Sequence, residues 1–141
     1  MPVFEKILVP LDGSDHSLHA LEKAVQIAKK FDSKIVLINV YSVSSFKVTP
    51  SQVFNYVVEI RKAGELMLAE AKKKLTREEI PVETILKEGH IVEEILKSVT
   101  DQNVDLIVIG ARGLGIMKEI LLGSVSHGVI LHAPCPIMVV R

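Results

Sequence analysis

Between Ile109 and Val129 the chain reads IGARGLGIMKEILLGSVSHGV, and Gly110, Gly113, Gly115 and Gly123 all fall before His127. Each glycine weakens regular structure by roughly 0.5–1 kcal/mol relative to alanine, so such density needs a reason. One reading is anion binding. Gly110 and Gly113 let the chain turn with its N–H groups unobstructed, and Gly123 breaks a short helical piece through Leu122. Ser124 then stands as N-cap of a last helix, whose first amides, on Ser124, Val125 and Ser126, point out from a positive end. The hydroxyls of Ser124 and Ser126 add donors, and Arg112 can reach a terminal phosphate. The other reading is punctuation, with Gly110 and Gly123 as turn residues and Ser124 as a simple cap. Two familiar phosphate loops fail the test. No window fits G-x-x-x-x-G-K-[ST], and G-x-G-x-x-G begins at Gly113 but meets Lys118 where its third glycine belongs.

Other reactive side chains are sparse. Asp12, in PLDGSD, either caps the first helix through Gly13 and Ser14 or faces a ligand. His16 and His19 read as surface histidines on the outer face of that helix. His127 and His132 are five apart and do not share a face, and His127 reads as solvent-facing. Cys135 stands between Pro134 and Pro136 with no basic partner in sequence, so it reads as structural. The chain has no carboxylate cluster to hold a metal ion by itself.

Short β-branched runs lie at Lys6–Leu11, Lys34–Val40, Val82–Lys87, Val104–Gly110 and Pro136–Val140. The second, fourth and fifth are continuously apolar, as strands covered on both faces are. Helical spacing separates them: Leu18, Leu21, Val25, Ala28; then Val53 to Leu75; then Ile91, Ile95, Val99; then Val125, Val129. Alternation of this kind predicts right-handed crossovers. The fold expected is a doubly wound, Rossmann-like α/β domain over residues 1–141, its five parallel strands in the order 3-2-1-4-5. The stretch YSVSSFKVTPSQ is the one long irregular segment. Ligands of such sheets bind beyond the carboxyl ends of the strands, which selects PLDGSD, NVYSV and the glycine stretch. Pro10 suits the fraying end of the first strand, where a missing ladder donor costs little.

With 141 residues, 48% of them apolar, and 17 basic residues against 17 acidic, the chain suits one soluble domain rather than two. Zero net charge argues against nucleic-acid binding through bulk charge, and Lys72–Lys74 read as a solvated helix face. No apolar run approaches a membrane span, and the start lacks a signal-peptide layout. A lone cysteine suggests a reducing, cytoplasmic setting.

Gly110-x-x-Gly113, nine residues, then Gly123-Ser124 resembles the G-2x-G-9x-G-[S/T] nucleotide signature of the universal stress protein family. ILVPLDGSDHSLHAL looks like the family's first strand and loop, and LLGSVSHGVILHAPCPIMVVR like its last helix and strand. The resemblance implies a homodimeric regulatory or stress-response module that binds ATP. It places Pro10, Leu11 and Asp12 at the nucleoside end, with Val40 presenting backbone groups to the adenine edge. Ile109, Gly110, Arg112 and Gly113 fall on the ribose and phosphate side, and Gly123, Ser124, Val125 and Ser126 on the triphosphate cradle. Position 111 is Ala where many relatives carry Ser. Magnesium would ride on the phosphates.

No positioned base stands near the cradle except Glu119, so hydrolysis is expected to be slow or absent and no catalytic residue is assigned. The alternative is an ATP-hydrolysing or substrate-activating enzyme of the adenine-nucleotide hydrolase-like superfamily, but the chain lacks an appended substrate domain. A phosphoacceptor domain would need an Asp ending the third strand, and VETILKEGH has none there. A dimerising scaffold with a vestigial loop is the remaining possibility. The last strand, Pro136–Val140, is an apolar edge that a second copy could cover by antiparallel pairing.

Overall fold

The computed structural model describes residues 3–42, 49–113 and 122–141. Nine elements follow in chain order: β1 (Lys6–Pro10), α1 (Asp15–Phe31), β2 (Lys34–Tyr41), α2 (Pro50–Arg77), β3 (Val82–Glu88), α3 (Ile91–Asp101), β4 (Leu106–Gly110), α4 (Ser124–His132) and β5 (Ile137–Val140). All five apolar runs form strands, within two residues of the limits read from sequence. They join one parallel sheet ordered β3-β2-β1-β4-β5, the order expected.

Side-chain alternation sorts the core into two layers. Ile7, Val9, Ile35, Leu37, Leu106 and Val108 face α1 and α2, where Ala20, Ala24, Leu68 and Leu75 meet them. Leu8, Val36, Ile38, Ile107 and Ile109 face the other way, against Ile95 and Val99 of α3 and Val129 of α4. With neighbours on both edges and helices on both faces, β4 buries all five residues, which explains its unbroken apolar sequence. At the amino end of the sheet, the Asp105 carboxylate accepts N–H bonds from Glu5 at 2.8 Å and Lys6 at 3.0 Å, clasping β1 to the start of β4.

Caps set the helix limits. Ser14 Oγ accepts the Ser17 N–H at 3.2 Å and starts α1, so Ser14, not Asp12, is its N-cap. Asp32 ends that helix in a left-handed turn at φ 56°. Thr49 and Gln52 form a reciprocal capping box with Pro50 in the first turn, so α2 starts inside the stretch read as irregular. Residues 43–48, the rest of that stretch, lie outside the described residues. So does 114–121, which holds Gly115, Glu119 and most of the short helical piece read before Gly123.

Candidate functional site

β1 has β2 on one side and β4 on the other, so successive crossovers leave it in opposite directions and a crevice opens at its carboxyl end. A cavity of about 1100 Å³ lies there. All twelve positions named from sequence line it, from Pro10 at the end of β1 to Ser126 in the first turn of α4. Sequence reasoning missed its second wall: Ile60, Ala63, Gly64 and Met67 of α2, with Ile91 and Ile95 of α3. Those residues carry helical spacing, which marks a buried stripe without saying whether a neighbour or a ligand covers it.

The polar wall is built around α4. Its N-cap is Gly123, with Ser124 as first helical residue, so the helix starts one position earlier than the sequence suggested. The backbone N–H groups of Ser124, Val125 and Ser126 meet no acceptor among the described residues, while His127 N–H starts the helical ladder on Gly123 O at 3.0 Å. Donors left without an acceptor among the described residues at a positive helix end are suited to an anion. The two serines are not equivalent. Ser124 is exposed, whereas Ser126 is buried and its hydroxyl donates to Ala111 O at 2.7 Å and Gly123 O at 3.1 Å. The Ser126 hydroxyl therefore braces the loop and is no spare donor, a correction to the sequence reading.

The glycines make room rather than supply unusual backbone angles. Among the described glycines only Gly13 and Gly89 have positive φ. A Cβ on Gly110 would stand 2.7 Å from His16 C and 2.8 Å from Ser17 N, so this glycine admits the first turn of α1. The missing Cβ points at α1, while the residue still borders the cavity. A Cβ on Gly113 would stand 2.6 Å from Asp12 Oδ2, and one on Gly123 would stand 3.3 Å from Arg112 Cα. The loop closes on itself through Gly123 N–H to Ala111 O at 2.6 Å and Ala111 N–H to Val140 O at 2.7 Å.

Asp12 is exposed at the cavity. Its Oδ1 accepts from the Ser14 N–H at 2.9 Å and from the Ser14 hydroxyl, which orients the carboxylate. Behind it, Asn39 Nδ2 donates to Leu11 O at 2.7 Å and Leu11 N–H donates to Ile38 O at 2.8 Å, pinning the β1 end to β2. Asn39 is buried, and its oxygen lies where α2 offers only the bare Gly64.

The histidines divide. His127 is exposed and lines the cavity rim. His16, read as a plain surface residue, is half-buried and meets Arg112 across the gap from α1 to the loop after β4. Burial pushes the Cys135 thiol above its ordinary range, and the Asp105 carboxylate adds to the rise, so the thiol stays protonated and unreactive near neutrality. No group of three or more His, Cys, Asp or Glu among the described residues could hold a metal ion, and no described helix is long and apolar enough to cross a membrane.

Residues 4–141 match the model of the Universal stress protein family. The universal stress protein YxiE of Bacillus subtilis is 35% identical over 148 residues, covering 99% of this chain and 100% of that protein. Among solved structures, the hypothetical protein MJ0577 superposes with a TM-score of 0.88 at 29% identity, covering 98% of this chain and 96% of that one. A family protein from Arabidopsis thaliana with AMP bound gives 0.70 at 26% identity, covering 96% and 90%. A universal stress protein in complex with cAMP gives 0.68 at 25%, covering 99% and 98%. Matched over nearly its whole length in sequence and in fold, this chain belongs to the universal stress protein family.

Proposed function

We propose that the chain binds an adenine nucleotide, ATP with magnesium carried on its phosphates, and works as a homodimeric regulatory module with slow or no hydrolysis. One observation carries this reading: three amides at the start of α4, with no acceptor among the described residues, border the same cavity as an apolar wall from β2, α2 and α3. That pairing suits a ligand with an anionic tail and a flat, largely apolar head. Relatives of the same fold bound to AMP and to cAMP support the adenine head.

In this reading the base sits by Val40 and the α2 wall, Asp12 meets the ribose, and the phosphates lie along Gly113 and the first turn of α4, within reach of Arg112. Asp12 is the sole carboxylate among the described lining residues, and Ser14 already engages one of its oxygens. A metal ion would therefore take most of its ligands from phosphate and water. The same scarcity of bases supports slow hydrolysis, with turnover below roughly 1 s⁻¹.

Titration calorimetry of ATP with magnesium into nucleotide-stripped protein tests the proposal. Saturable heat at one site per chain is expected. A folded protein that takes up no ATP, AMP or cAMP defeats it.

A further inference from the structure

His16 does not line the cavity, yet it is wedged against Arg112, which among the described lining residues alone carries a positive charge on a long stem. The Arg112 backbone N–H donates to His16 Nδ1 at 3.2 Å, while Arg112 Nη2 stands 3.5 Å from His16 Nε2. Both arginine groups are donors. A neutral imidazole has a single ring nitrogen able to accept, so it can serve one of them and not both. The shorter contact is the amide. With Nδ1 accepting, Nε2 carries the proton and faces the guanidinium donor to donor, so the ring fixes the backbone and does not tether the guanidinium.

The surroundings explain why a ring is needed there. Ala111 is already held by Val140 O on its N–H and by Gly123 N–H and the Ser126 hydroxyl on its carbonyl. The next amide along, that of Arg112, is met from α1, which approaches this closely only because Gly110 lacks a Cβ. We infer that His16 is a positioning residue for Arg112: its Nδ1 completes the turn after β4 and so aims the arginine at the anionic end of the ligand. This inference rests on the nucleotide reading above.

Affinities for ATP and for adenosine, measured by calorimetry on wild type, His16→Leu, His16→Asn and His16→Gln, test it, with thermal melting as the check on folding. Asparagine places a carbonyl oxygen near the Nδ1 position, whereas glutamine reaches toward Nε2. His16→Leu is expected to weaken ATP roughly tenfold, the scale of one lost hydrogen bond with its partner left unsatisfied, and adenosine by less than about twofold. His16→Asn is expected to recover ATP affinity to within about threefold of wild type, and His16→Gln to resemble leucine. Equal losses for ATP and adenosine, or equal ATP affinities for the asparagine and glutamine variants, overturn the positioning role while leaving the nucleotide site in place. The second comparison decides the matter even where the leucine variant does not fold. Wild-type protein that binds neither ligand overturns the nucleotide reading, and the role of His16 with it.

Discussion

At the scale of single residues, two glycines of the same motif have different physical duties. The position of Gly110 is set by backbone atoms of α1 that cannot withdraw, whereas Gly113 faces the far end of the Asp12 side chain. Gly110→Ala is therefore expected to cost about 1–3 kcal/mol in urea unfolding, as overpacking does. Gly113→Ala, at an exposed position, is expected to change stability by less than about 0.5 kcal/mol, yet to lower ATP affinity because Asp12 must swing aside. Equal stability losses for the two would show that the loop, not the site, requires both. Cys135 provides a second residue-level test. Its raised pKa, due first to burial and then to Asp105, keeps the reactive thiolate scarce at neutral pH. Alkylation should therefore be slower than for an unstructured thiol and should quicken as pH rises or on unfolding.

At the scale of elements, α2 is the unusual piece. Its first residue classed as buried is Gly64, so the turns from Pro50 onward rest on partial burial and on the capping box. Removing the box should matter locally. Thr49→Ala is expected to cost about 1 kcal/mol or less in overall stability. Amide exchange should quicken over 50–60 while 64–77 stays protected. Uniform exchange along the helix would show that α2 opens as one unit. The same element forms a cavity wall, so loosening its first half is expected to weaken binding of the base more than of the phosphates.

At the scale of the whole molecule, the sheet order leaves β5 at an edge, with Met138 of this apolar strand 39% exposed. An uncovered apolar edge favours pairing with a second copy. Sedimentation at micromolar concentration is expected to give a dimer, and Met138→Glu to shift it toward monomer. Wild-type protein that sediments only as monomer removes the dimer from the proposal. The loop after β4 is bonded to Val140 at the end of that strand. A dimer seam on β5 and the proposed nucleotide site would thus share one short path. Nucleotide is therefore expected to change the dimer dissociation constant measurably.

The sequence by itself determined the alternation of strands and helices, because period-two and period-3.6 patterns are local consequences of backbone geometry. The unbroken apolar run Ile35 to Ile38 reads as a strand covered on both faces, and the spacing of Gly110, Gly113 and Gly123 marked the loop from 21 residues of local text. The capping box of Thr49 and Gln52 is also a local pattern, though it sits inside the stretch that reads as irregular. Only the tertiary structure decided what each loop residue meets. His16 lies 96 positions before Arg112, and Gly110 faces a helix nearly as remote. Partners separated by that much chain are chosen by how the sheet is wound, and no local pattern encodes a neighbour brought in by a crossover.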